Sequence, residues 1–146
     1  MSREVFDSRL AEIDADPRHH VVVAVVEALA DDGAHPATVP AAPSSSPEHP
    51  SPPPSTTRVV GAATLLLERK FIRGAGLAGH VEDVVVDASL RGRGVGRRLL
   101  AELVERARAA GAYKVILDCS EANGGFYASC GFKRKETQYA RYLRDQ

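Results

Sequence analysis

Eight of the chain's nine prolines fall within residues 31–57 (DDGAHPATVPAAPSSSPEHPSPPPSTT), a stretch almost free of large apolar side chains. Such a segment cannot bury enough surface to offset its ordering entropy. Any core must therefore be assembled from what lies on either side of it. The proline-rich part favours extended polyproline conformations, either as a ligand for a proline-reading domain or as a disordered insertion in a surface loop. The insertion is the simpler reading, because both flanks read as strands. His20 to Val26 (HVVVAVV) is short and β-branched, and Arg58 to Leu67 (RVVGAATLLL) is similar, with Gly61 as a candidate bulge. An antiparallel pair with a lengthened connection follows, at small cost, since closure entropy grows only logarithmically with loop length.

Other elements attach to that pair. Val5 to Ile13 sets Phe6, Leu10 and Ile13 at helical spacing, and Asp16-Pro17 ends the helix. Gly79 to Asp87 reads as a third strand. Residues 94–110 read as a helix with Val95, Leu99, Leu100, Leu103, Val104 and Ala107 on one face, stopped by Gly111. Tyr113 to Cys119 is a fourth strand, residues 124–130 a short helix, and Thr137 to Leu143 a final strand. Strand, helix, strand at this spacing implies a right-handed crossover between parallel neighbours. The class is α/β, with a mixed sheet carrying helices.

At 146 residues the expectation is one domain spanning the chain. Nineteen basic and nineteen acidic residues balance, so no net field draws the protein to nucleic acid or an anionic membrane. No apolar run approaches the ~20 residues needed to cross a bilayer, and no secretory start is visible, so the chain reads as soluble and cytoplasmic. Cys119 and Cys130, the two cysteines, are expected as unpaired packing residues.

Arg91-Gly92-Arg93-Gly94-Val95-Gly96 lies between a strand and the long helix. Glycines admit a ligand close to the backbone, and the helix's first N–H groups are free and carry the positive end of its dipole. Together they suit a phosphate or pyrophosphate. The loop lacks the Lys-Ser/Thr of an ATP-binding loop, and its spacing is not the dinucleotide fingerprint. On its own the loop is ambiguous, with a ligand-free glycine-rich turn as the lesser alternative.

A second motif lies downstream: Asn123, Phe126-Tyr127 and Gly131-Phe132. With Arg91-x-x-Gly94-x-Gly96 it resembles the paired signatures of the GNAT superfamily of acyl-CoA N-acyltransferases. The resemblance implies antiparallel strands, then a splayed parallel pair around an acetyl-CoA site, with helices on both faces. Lys70-Phe71-Ile72, Gly79 to Val86 (GHVEDVVV), Tyr113-Lys114 and Leu117-Asp118-Cys119 resemble more specifically its sugar-phosphate branch. That branch moves acetyl from acetyl-CoA to the amine of D-glucosamine 6-phosphate, on the route to UDP-N-acetylglucosamine. Its members are homodimers and need no metal. The branch usually begins with a further strand and helix, which are expected to be missing here, and Arg73 stands where it can have histidine.

The resemblance also implies roles. Val84, Val85 and Val86 would offer backbone groups to pantetheine. Arg91, Gly92, Arg93, Gly94, Val95, Gly96 and Arg97 would hold the pyrophosphate, with Asn123, Ala128 and Ser129 completing the cofactor site. Tyr127 would protonate the departing thiolate, with Phe126 in the core. Glu82 and Asp83 interrupt an apolar strand, which is costly unless they face solvent or a ligand. Glu82 is assigned to sugar orientation and proton acceptance, and Asp83 to hydroxyl binding or to supporting a residue that contacts the sugar. Asp118 is the rival base, and the sequence does not rank the two. Lys70, Arg73, Lys114 and Arg141 are candidates for the sugar's phosphate, with Phe71, Ile72, Val84 and Tyr113 lining the same site. His80 is read as structural. Two alternatives stand beside this: an acetyltransferase for another amine, and a non-catalytic acyl-CoA-binding module.

Overall fold

The computed structural model describes residues 1–28 and 56–143. The two β-branched flanks pair as expected: β1 (His19–Ala28) runs antiparallel to β2 (Thr56–Arg69). Of the expected insertion, residues 31–55 lie outside the described residues, whereas Thr56 and Thr57 belong to β2 and pair with Ala28 and Glu27. The bulge falls beside Gly61. Ala24 pairs with Gly61 and Val25 with Val59, leaving Val60 as the extra residue.

β3 (Leu77–Val86) is antiparallel to β2, and β4 (Ala112–Leu117) is parallel to β3, giving the order β1-β2-β3-β4. Between β2 and β3 a one-turn segment, α2 (Ile72–Ala75), contains left-handed Arg73 and Gly74. The crossover helix α3 (Val95–Ala109) buries Leu99, Leu100, Leu103 and Ala107, the face that its periodicity marks out. Those side chains pack on Val22, Ala63, Leu65, Leu67 and Val81. Each fully buried leucine contributes about 1.5–3 kcal/mol, so this single helix-on-sheet contact dominates the core.

α1 (Arg3–Asp14) forms as expected, although it buries no residue, with Phe6 and Leu10 still 47% and 46% exposed. Two expectations are corrected. The final strand over Thr137 to Leu143 does not form. Residues 132–142 have no regular structure, because a strand exists only through pairing and no described strand accepts this one. Cys119 is exposed and Cys130 half-buried, since β4 ends at Leu117, before Cys119 can enter the core.

Candidate active site

The parallel ladder between β3 and β4 stops at Val81 and Leu117, while β3 continues to Val86. Past that point the β3 backbone has no β4 partner, so its N–H and C=O groups on that side are available to a ligand. Val84, Val85 and Val86 lie on this free length. Val84 and Val86 pack against the core and Val85 is 57% exposed.

A second bulge sets the side chains here. Ala62 pairs with Val85 but Thr64 with Glu82, so β3 carries one residue more than β2 across this step. Asp83 absorbs it with φ 52°, a left-handed conformation that asparagine and aspartate tolerate better than other L-residues. Val81 faces the core, and after the bulge Val84 and Val86 do so again. Regular alternation would have sent Asp83 inward. The bulge leaves Glu82 and Asp83 both exposed and adjacent, as two carboxylates in an apolar strand require.

β3 hands over to the glycine loop through Asp87. Its N–H donates to the Val60 carbonyl (2.8 Å), and its Oδ1 accepts from the Ser89 hydroxyl (2.6 Å) and N–H (2.9 Å). Those two Ser89 bonds, hydroxyl first, hold the Asp87 carboxyl below the usual carboxylate range, with Arg58 and Arg91 adding attraction against partial burial. The loop then turns through exposed Arg91, Gly92 and Arg93, and Gly94 caps α3 in the left-handed region at φ 80° with no side-chain cap. The N–H groups of Val95, Gly96 and Arg97 open the helix and lack intrahelical partners. Nothing lies within 4 Å of where a Cβ would stand on Gly92 or Gly94. This open cradle of backbone donors fits a pyrophosphate.

α4 (Gly124–Ser129) sits on the first turn of α3. A Cβ on Gly96 would come 3.1 Å from the Phe126 ring, tighter than an ordinary contact, so a larger residue there would push against α4. Phe126 is thus not the core residue expected: it is 40% exposed, lies over Gly96, and meets Tyr127 edge-on at 5.0 Å. Tyr127 is the one that packs against the core. Burial, then the Cys119 and Cys130 thiols, raise its hydroxyl above the ordinary tyrosine value. The Arg97 side chain is taken up by α4. Its guanidinium donates to the Ser129 carbonyl (2.6 Å) and hydroxyl (3.2 Å), and that hydroxyl donates to the Phe126 carbonyl (2.7 Å). Arg97 and Ser129 therefore latch α4 to α3, a tie that the spacing gave no means of foreseeing. Asn123 and Ala128 are exposed at this helix, and Asn123 makes no side-chain cap.

The charged candidates gather on the other face of the sheet. Leu65, Leu67, Val81 and Val115 face α3, so alternation turns Glu68, His80, Glu82 and Lys114 away from it. Lys70 pairs with Glu68, His80 Nε2 stands 3.6 Å from the same carboxylate, and His80 Nδ1 stands 3.9 Å from Glu82. Lys114 lies with its ammonium 5.8 Å from the Tyr113 ring centroid. Glu68 was not singled out by sequence reasoning, although its alternation with Leu65 and Leu67 puts it on the His80 face. Phe71 is fully exposed and Ile72 64% exposed on the turn that carries Arg73. Arg73 and Arg141 form no ion pair among the described residues. Arg141 lies in the irregular C-terminal coil. Asp118, just past β4, accepts from Gln138 Nε2 at 2.7 Å, which ties that coil to the mouth of the gap.

The sequence matches the Acetyltransferase (GNAT) family over residues 48–132. The chain belongs to the GNAT family. Among curated proteins, this GNAT chain is 54% identical over 89 residues to "Glucosamine 6-phosphate N-acetyltransferase 1" of Oryza sativa subsp. japonica, covering 61% of this chain and 54% of that one. It is 51% identical over 83 residues to "Glucosamine 6-phosphate N-acetyltransferase" of Trypanosoma brucei brucei, covering 57% and 56%. The chain spans about half the length of these relatives. The crystal structure of glucosamine-6-phosphate N-acetyltransferase from Arabidopsis thaliana superposes with a TM-score of 0.71 at 28% identity, covering 98% of this chain and 80% of that one. The GNAT fold is thus common to both, including the antiparallel strands followed by a parallel pair.

Proposed function

We propose that this chain transfers acetyl from acetyl-CoA to the amine of D-glucosamine 6-phosphate, releasing CoA and N-acetylglucosamine 6-phosphate, the sugar used to make UDP-N-acetylglucosamine. The observation that carries the reading is the gap beyond Val81 and Leu117. It has a backbone cradle and Tyr127 on the α3 side and the exposed carboxylates of Glu82 and Asp83 at its edge, while Lys70 and Lys114 lie further back, beside the start of β3. The names of the relatives support the acceptor.

When bound, acetyl-CoA supplies the thioester acyl group. The N–H groups of Val95, Gly96 and Arg97 and the open glycine loop hold its pyrophosphate, and the free edge of Val84 to Val86 aligns its pantetheine. Direct attack needs a neutral amine and a base for its proton. Glu82, exposed at the bulge, and Asp118, at the mouth of β4, are the two candidates. Tyr127 delivers its proton to the departing sulfur, and a hydroxyl held above its ordinary value is still protonated when needed. Lys70 and Lys114 bind the phosphate, with Arg73 and Arg141 as outer contributors and Asp83 on a sugar hydroxyl. The active form is a cytoplasmic homodimer. Exposed Phe71, Ile72, Tyr139, Tyr142 and Leu143 supply apolar surface for a second copy.

The test is thiol release with glucosamine 6-phosphate, glucosamine 1-phosphate and glucosamine. Cations built to pair a dianion are left unpaired when it is missing. Glucosamine should therefore lose on the order of 10³-fold in kcat/KM. Equal efficiency with and without the 6-phosphate rejects the acceptor, and acetyl-CoA binding without thiol release for any amine rejects catalysis.

A further inference from the structure

Glu68 has no part in the reaction just described, yet two lysines and a histidine from three elements converge on it. Lys70 pairs directly with its Oε2 from the start of the turn, and His80 of β3 stands 3.6 Å from the same oxygen. Lys114 of β4 is close enough to act on its charge. We propose that Glu68 is a positioning residue that fixes the Lys70 ammonium for the anionic end of the acceptor, an inference that rests on the acceptor reading above.

The geometry gives the reason. An ammonium has three N–H donors and a flexible four-carbon stem, so alone it is a poorly aimed point charge. One donor committed to Glu68 fixes the head and leaves two for a phosphate. Lys70 is also the more covered partner, its side chain 27% exposed against 44% for Glu68. The ammonium is thus the half-buried member, held in place by a carboxylate that stays more open to solvent. Glu68 is suited to that task. The hydrogen bond from Lys70, then the charges of Lys70, His80 and Lys114, hold its carboxyl below the usual range despite partial burial. The backbone closes around the same point, where the Lys70 N–H donates to the Gly76 carbonyl at 2.8 Å, so the base of the turn is fixed while Phe71 to Arg73 project from it. Stability is a poor explanation for such a cluster, because half-exposed ion pairs contribute little to folding.

The experiment is steady-state thiol release by the parent protein, Glu68→Gln, Glu68→Asp, Lys70→Gln and the double variant Glu68→Gln/Lys70→Gln, with and without the 6-phosphate on the sugar. Glu68→Gln should raise KM for glucosamine 6-phosphate about tenfold, the low end for a hydrogen bond to a charged group. The KM for acetyl-CoA and the efficiency with plain glucosamine should stay at parental values. Glu68→Asp should recover part of the loss. The double variant should be no worse than Lys70→Gln, because Glu68 acts through Lys70. A parental KM in Glu68→Gln, an equal loss on plain glucosamine, or additive losses in the double variant would each overturn the role. So would a melting temperature lowered beyond what a surface pair accounts for, since that marks Glu68 as structural. A parent with no preference for the 6-phosphate removes the acceptor reading and this role together. A parental preference that Glu68→Gln retains removes only the role of Glu68.

Discussion

The cradle at the start of α3 is made of backbone, whereas the proposed acceptor face is made of side chains. In the cradle the donors are N–H groups fixed by helix geometry, and the residues that matter are those that stay out of the way: Gly92, Gly94 and Gly96. On the acceptor face, Lys70, His80, Glu82 and Lys114 hang from two strands and a turn, and their positions depend on one another through Glu68 on a third strand. A backbone site fails by strain or obstruction at a single residue. A side-chain site fails in steps, as each charge is removed. The two regions therefore predict different mutational behaviour.

The largest effect is expected where the cradle meets α4. Gly96→Val places a branched side chain where a Cβ would already stand 3.1 Å from Phe126. Overpacking of this kind costs about 1–3 kcal/mol. It also displaces Tyr127, and a 1 Å misplacement costs roughly 10²-fold in rate. Turnover and acetyl-CoA affinity should fall together, by kinetics and calorimetry. If Gly96→Val binds and turns over normally, α4 is not seated as described and the cradle is not the binding element.

Tyr127→Phe separates chemistry from architecture. Removal of a positioned proton donor lowers turnover by about 10²-fold. The ring stays against the core, so stability and acetyl-CoA affinity should hold. A fully active variant would make Tyr127 a packing residue and leave departure of the thiolate unassisted.

The same contrast explains what was legible in the sequence. The strand pair, α3 and its buried leucines were readable because period and burial coincide in Leu99, Leu100 and Leu103. The cradle was readable because glycine at fixed spacing reports a backbone requirement. Asp83 was recognised as misplaced in an apolar strand, but not as the bulge that turns it outward, because one extra residue is a property of two paired strands. Glu68 escaped for a similar reason. Its partners come from sequence positions 70, 80 and 114, and only the sheet register assembles them. The stretch Thr137 to Leu143 misled in the opposite direction, since Thr137, Tyr139 and Tyr142 are residue types that suit a strand but a strand needs a neighbour.

A smaller effect should come from Asp83, where backbone and side chain can be set against each other. A β-branched residue at φ 52° costs about 1–2 kcal/mol, so Asp83→Val should unfold at lower denaturant concentration. Asp83→Gly relieves the strain but adds chain entropy in the unfolded state, for a net change below about 1 kcal/mol. Both variants lose the carboxylate and should lose acceptor affinity alike. Equal stability of the two would show that the bulge is not strained. Unequal acceptor affinity would show that the backbone, and not the carboxylate, serves the sugar.

The smallest effect is a pH dependence that both regions share, with separable origins. Asp87, at the entrance to the cradle, and Glu68, on the acceptor face, both have carboxyls held below their ordinary values, the first chiefly by the Ser89 hydroxyl and the second chiefly by Lys70. A depressed carboxyl contributes stability that is complete above its unfolded value, about 4 for aspartate and glutamate. That contribution is lost as pH falls through the lower folded value. Asp16, held down by Arg18, adds to the same limb. Melting temperature should therefore stay level between pH 7 and 5 and decline below about 4. Asp87→Asn should start lower, because the bonds to Ser89 weaken at every pH, and should decline less steeply, because one titrating group is gone. Glu68→Gln should decline less steeply from a nearly parental start, since a half-exposed ion pair adds little at neutral pH. The shape of the two acid limbs thus distinguishes a carboxylate that shapes the backbone from one that aims a side chain. Parallel curves for the parent and Asp87→Asn would mean that Asp87 does not hold the loop through its charge.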